Sequence, residues 1–150
     1  MDLQKNLHDI CLNNFQIYNK GMILCLDIVM PQQPPESEQG NKEYKRYLLW
    51  SVEKKGSEID FINRRASQML YRLLEGNGKA IYLIGVDDNG KIYSLNEENL
   101  SETIRYIKII SNKIGARVKV IRIYKNKVCS VRIILDEEIL ENKMENMRLY

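Results

Sequence analysis

Apolar and polar residues alternate along this chain in two different periods, and the periods divide it into elements. Ile62, Ala66, Met69, Leu70 and Leu73, with Ile59 ahead of them, recur at helical spacing and predict an amphipathic helix over 58–75. Ser57 is placed to cap it, with Asp60 three residues later in the capping-box position, and Arg64, Arg65 and Arg72 fall on the wetter side. Leu100, Ile104, Ile107, Ile110 and Ile114 predict a second helix, opened by Asn96 or Ser101 and stopped by Gly115. Between the two helices, 80–86 is a β-favouring run. Asp87-Asp88-Asn89-Gly90 is turn chemistry, and Ile92, Tyr93 and Leu95 follow as a return strand, so a hairpin is expected. After Gly115, 117–124 and 128–135 read as two more strands joined at Lys125-Asn126-Lys127. Cys129, Val131, Ile133 and Leu135 alternate with Ser130 and Arg132, which marks one buried and one wet face.

The remaining segments are assigned by the same rules. Residues 43–50, with Tyr44, Tyr47, Leu49 and Trp50, predict the first core strand. Residues 2–18 place Leu3, Leu7, Ile10, Cys11, Leu12 and Phe15 near helical spacing, with Asp2 as the cap. Residues 22–30 form a short apolar strand or strap. The Pro31-Gln-Gln-Pro34-Pro35 stretch up to Gly40 has the composition of a linker. Asp136 opens a charged terminal helix. The expected organisation is therefore an extension and linker over 1–41, a core over 42–135 and an acidic helical tail over 136–150. The expected fold class is α+β: a two-layer sandwich in which a mixed or antiparallel sheet of about four to five strands carries two helices on one face.

Charge adds direction to this picture. The net charge is +3 over 150 residues, but residues 1–40 and 136–150 each sum to −3, which leaves +9 for the middle. Between Glu102 and Asp136 there is no acidic residue, while Arg105, Lys108, Lys113, Arg117, Lys119, Arg122, Lys125, Lys127 and Arg132 all fall there. One such residue is ordinarily a solvated side chain. Nine without interspersed acid make a one-sign field, which points to a polyanionic partner such as RNA. Lys42, Lys45, Arg46, Lys113, Arg117, Lys119, Arg122, Lys125, Lys127 and Arg132 are the candidate RNA-binding residues. Tyr44, Tyr47, Tyr82, Tyr93 and Tyr124 lie on predicted strands, where they either stack on bases or pack in the core.

Other chemistries find little support. Gly85 to Lys91 matches the first seven positions of a phosphate-binding loop, but the eighth is Ile92 where Ser or Thr is needed, and Asp87 and Asp88 repel phosphate. The single His8 lacks partners for a metal site or triad. No activated nucleophile or positioned base stands out, so no catalysis, cofactor, metal or small-molecule substrate is expected. Cys11, Cys25 and Cys129 read as buried thiols of a reducing compartment. The apolar run 21–30 contains Asp27 and is half a membrane span. The acidic N-terminus lacks a secretory n-region. A cytoplasmic monomer without membrane attachment is expected.

Several separated motifs carry a resemblance. Glu43-Tyr44-Lys45, then Gln68-Met69-Leu70-Tyr71-Arg72-Leu73, then Glu75-Gly76-Asn77-Gly78 with Ala80-Ile81-Tyr82 and Ile84-Gly85-Val86 through Gly90, and Lys113-Ile114-Gly115-Ala116 keep a shared order. This resembles the segment ahead of the GTPase domain in GTP-binding protein 1-like translational GTPases, over residues 42–135. Lys79 and Leu83 depart from that pattern at two acidic positions, and the chain is expected to stop where the GTPase domain would begin. A chain of this size with this core also resembles the microsporidian dormancy factors that occupy the tRNA exit site of idle ribosomes. That resemblance implies ribosome hibernation without catalysis, through rRNA and ribosomal proteins of both subunits near the exit site and its mobile stalk. Arg148, Leu149 and Tyr150 then become candidates for insertion into a ribosomal pocket, the alternative being a frayed end. The other reading is a regulatory protein- or RNA-binding module derived from a translational GTPase.

Overall fold

The computed structural model describes the backbone of residues 15–18 and 21–148. Six strands form one mixed sheet: β1 (Phe15–Tyr18), β2 (Gly21–Cys25), β3 (Lys42–Lys45), β4 (Lys79–Ile84), β5 (Ala116–Ile123) and β6 (Cys129–Leu135). Their order across the sheet is β1-β2-β5-β6-β4-β3. The pairs β2–β5 and β3–β4 are parallel, while β6 is antiparallel to both β5 and β4. Strands β2 to β5 therefore run one way, and their carboxyl ends share one end of the sheet with the 125–127 turn.

Helices α1 (Trp50–Glu53), α2 (Glu58–Glu75), α3 (Glu97–Lys113) and α4 (Glu137–Arg148) complete the fold, which is α+β as expected. The Ser57 hydroxyl accepts from the Asp60 N–H and the Asp60 carboxylate accepts from the Ser57 N–H, closing a capping box on α2. Asn96, not Ser101, caps α3, its side chain accepting from Asn99 N–H at 2.7 Å. Helices α2 and α3 lie side by side on one face of the sheet. Between them, Phe61 and Tyr106 meet edge to face at 5.3 Å. Beneath them lie Ala80, Tyr82 and Ile84 of β4, Cys129, Val131 and Ile133 of β6, and Ile121 and Ile123 of β5. Leu140 of α4 joins this core.

Several expectations are corrected. Residues 15–18, placed in an N-terminal helix by spacing, are a strand. Phe-Gln-Ile-Tyr has strand propensity, and the edge of β2 offers an open ladder. The rest of that expected helix, with Asp2 and His8, lies outside the described residues. The sheet is thus wider than four to five strands, and β2, ahead of the boundary expected near 41, belongs to the same sheet as the core. The first core strand ends at Lys45 rather than Trp50. There the chain crosses the end of the sheet, and the Leu48 N–H donates to the Thr103 hydroxyl on α3. On α2 the helical phase is set by Phe61, with no exposed surface, whereas Ile59 is 65% exposed. Arg72, expected on the wet side, is 4% exposed: its Nε donates to Glu43 at 2.7 Å. Cys129 is buried, and burial pushes its thiol far up; Cys25 is only half-buried.

The expected hairpin is reduced to its turn. Val86 and Ile92 form one antiparallel bridge, and the Asp87 N–H donates to Lys91 at 2.9 Å. No return strand follows, because β3 and β6 already occupy both ladders of β4. Instead the turn receives the segment expected as a linker. The Gln33 N–H donates to Gly90 at 2.9 Å and the Glu36 N–H to Asp88 at 2.7 Å. Gly90 has φ +88°, and a Cβ there would lie 1.9 Å from the Gln33 carbonyl oxygen. Only glycine permits that approach.

Candidate nucleic-acid interface

The face of the sheet opposite the helices is built by the alternate residues of the same strands, and hydrogen-bond register places them in rows. One row runs Lys42, Ile81, Arg132, Val120, Met22 from β3 to β2. The next runs Tyr44, Leu83, Ser130, Arg122, Leu24. A third, nearer the other end, holds Lys79, Ile134 and Arg117.

The segment 26–36 crosses part of this face as a strap. Met30 is buried with Tyr44, Leu83, Val86 and Val128, and Ile81, Ile92 and Tyr124 pack against them. Asn126 clamps the strap in both directions, its Oδ1 accepting from the Met30 N–H and its Nδ2 donating to the Met30 carbonyl, each at 3.1 Å. At the far edge the Glu36 carboxylate accepts from the Tyr44 N–H, and burial raises the Glu36 carboxyl above its ordinary range. The strap then turns around β3, where Arg72 donates to the carbonyls of Ser37 and Gly40, each at 2.9 Å. A stretch that composition describes as a spacer is thus held along its length.

Between strap and sheet lies a groove of about 320 Å³. Met30, Pro31 and Gln33 form one wall. Ile81 and Leu83 are its apolar floor, Tyr124 and Ser130 add hydroxyls, and Lys42, Arg122 and Arg132 supply charge. No carboxylate lines it. Among the described residues none of these three cations is in an ion pair.

The other candidate cations are dispersed or occupied. Lys45 lies on the helix-covered face, 3.2 Å from Glu43. Arg46 binds Asp87 at 2.7 Å and covers the Tyr93 ring at 4.4 Å. Arg117 is 3.9 Å from Asp136, and Lys125 is 3.7 Å from Asp27, both pairs well exposed. Lys113 is exposed in the last turn of α3, and Lys119 is exposed at the bulge between Val118 and Val120. Lys127 is exposed at the β5–β6 turn. Leu149, Tyr150 and the Arg148 side chain lie outside the described residues. Three of the ten candidates therefore converge.

Sequence reasoning named Tyr124 but missed Ser130 as a groove residue, the strap wall, and Lys79, which alternates in phase with Ile81 and Leu83. That phase was readable along β4. That Lys79 pairs with Ile134, and Ile81 with Arg132, was not, because β6 comes about fifty residues later.

No family model matches the chain. A 92-residue stretch is 39% identical to GTP-binding protein 2 of Mus musculus, and to GTP-binding protein 2 of Homo sapiens to the same degree. Part of this chain is related to GTP-binding protein 2. The match covers 61% of the chain but 14% of that protein, so the chain spans about one seventh of it. An 86-residue stretch is 34% identical to the uncharacterized protein R625 of Acanthamoeba polyphaga mimivirus, covering 57% of the chain and 43% of that protein. A 92-residue stretch of a 150-residue chain includes residues 59–92, which hold most of α2 and all of β4. Within it, the phosphate-loop look-alike is a strap-bound turn: Asp87 is held by Arg46, and the Gly90 carbonyl accepts from the strap.

Among the described residues, no group of three or more His, Cys, Asp or Glu is placed to hold a metal ion, and no helix is long and apolar enough to cross a membrane.

Proposed function

We propose that this chain is a non-catalytic ribosome-binding dormancy factor. It occupies the tRNA exit site, contacts rRNA and ribosomal proteins of both subunits beside the mobile stalk, and keeps ribosomes inactive by occupancy. The observation that carries this reading is the groove lined by no carboxylate, in which Lys42, Arg122 and Arg132 have no ion pair among the described residues. Unpaired, clustered cations repel one another, so leaving them together is a cost that a polyanion relieves. The relation to GTP-binding protein 2 supports descent from a translational GTPase, and the resemblance of a chain of this size with this core to the dormancy factors supports the exit site. GTP-binding protein 2 is named for GTP, but the 87–91 turn here presents Asp87 and Asp88, so GTP binding is not carried over.

The test is co-sedimentation with ribosomes in moderate salt at native protein levels. The protein is expected in the ribosomal fractions; a protein that stays at the top of the gradient overturns the reading. Deleting residues 148–150 asks separately whether the tail contributes. Unaltered affinity would assign it no role.

A second reading is a regulatory binding module derived from a translational GTPase, favoured by the small share of the relative that is matched. It predicts a protein partner that survives nuclease treatment in a pull-down.

A further inference from the structure

We infer that the strap-bounded groove is a subsite for single-stranded RNA, with one base seated on its floor. The inference rests on the RNA-binding reading above and deepens it. Lys42 and Arg132 share a row two strands apart, so their backbones are about 10 Å from each other, with Ile81 between them. Arg122 lies diagonally across from Arg132, since Arg132 pairs with Val120 and Arg122 with Ser130, a diagonal of about 7–8 Å. The three cations thus trace a line across the strands, with spacings comparable to the steps between phosphates on an extended strand. Ile81, which stays partly exposed where the strap covers Leu83, and the half-buried Tyr124 ring beside that line offer an apolar and aromatic surface to a base.

Geometry selects the single strand. The floor is recessed between the sheet and the strap wall of Met30, Pro31 and Gln33, which Asn126 and Gly90 hold in place. A duplex keeps its bases stacked inside and meets the protein with a convex backbone, so it reaches the cations at the rim and leaves the floor empty. A single strand turns a base inward. An acidic peptide without aromatic side chains would satisfy the cations but offers Tyr124 no ring to stack on.

The experiment is fluorescence anisotropy with a labelled ten-nucleotide RNA, its hairpin duplex, an abasic strand of equal length and a poly-glutamate competitor, each titrated over a salt series. The single strand is expected to bind at least tenfold more tightly than the duplex. The dependence of log K on log salt should have a slope of about −2 for three phosphates, and Arg132→Ala or Arg122→Ala should each reduce it by about 0.7. Tyr124→Leu should weaken single-strand binding about tenfold, Tyr124→Phe should restore it, and the abasic strand should be indifferent to both. Equal affinity for duplex and single strand overturns the inference. So does displacement by poly-glutamate as effective as by RNA, or a Tyr124→Leu protein with unchanged melting temperature and unchanged affinity. Ribosome co-sedimentation of the unsubstituted protein separates the two levels. Ribosome binding with no preference for the single strand refutes the groove alone, whereas absence of both refutes the RNA-binding reading as well.

Discussion

The two faces of one sheet show how differently the same strands are used. On the helix side, alternate residues of β6 pack into the core shared with α2 and α3, and among the described residues the two charged residues buried there, Glu43 and Arg72, bond to each other. On the opposite side the intervening residues meet a strap one chain thick. It covers Leu83 and Tyr44 and stops, leaving Arg132 and Lys42 in solvent. A helix pair excludes water over a wide area and demands apolar or paired groups. A single extended segment excludes it over a narrow one and tolerates unpaired charge at its border. The covered face holds the fold, and the half-covered face is free to bind.

That contrast can be broken from the covered side first. Arg72→Ala should be the most damaging change, costing about 3–5 kcal/mol in urea unfolding, because it leaves the buried Glu43 with Lys45 alone and frees the Ser37 and Gly40 carbonyls. The paired change Arg72→Met with Glu43→Leu should recover much of the loss. If Arg72→Ala is as stable as the parent, the pair is not in the core. Gly90→Ala is next, at about 1–3 kcal/mol, because it places a Cβ against the Gln33 carbonyl at positive φ. It should also expose residues 31–37 to limited proteolysis, and an uncut strap would mean that the turn does not hold it. Arg122→Glu with Arg132→Glu, on the open face, should alter stability by no more than about 0.5 kcal/mol. The same pair should abolish most RNA or ribosome binding at moderate salt. A large stability loss there would erase the distinction between the faces.

The smallest expected effect concerns Lys108 on α3, whose ammonium burial pushes down to about 8. The unfolded chain then holds more protons than the folded one between about 8 and the ordinary 10.5, so stability should rise with pH through that window. Lys108→Met should flatten the rise in a melting-temperature series, and an unchanged pH profile would place that ammonium in water.

Much of this was legible along the chain. Ser57 and Asp60 announce their helix because a capping box acts over three residues, and Cys129 to Leu135 announce two faces because strand alternation is local. Basic charge without acid between Glu102 and Asp136 pointed at a polyanion, but not at which cations act together. Lys45 and Arg46, as basic as Lys42, turn out to be engaged by Glu43 and Asp87. The hairpin misled because Asn89-Gly90 specifies a turn and says nothing about whether the ladder beyond it is vacant. The strap misled because proline-rich composition describes a chain that cannot form a core of its own, not one that can be held against a core made elsewhere.

What the sequence determined by itself was therefore everything that depends on neighbours within a few residues: the capped helices, the β5–β6 turn, the phase of each strand and the sign of the charge. Only the tertiary structure decided which strands lie side by side, that Arg72 is buried, and that Met30 to Glu36 close over a groove. Those outcomes depend on residues thirty to a hundred positions apart competing for the same edge or face. No local pattern records who wins that competition.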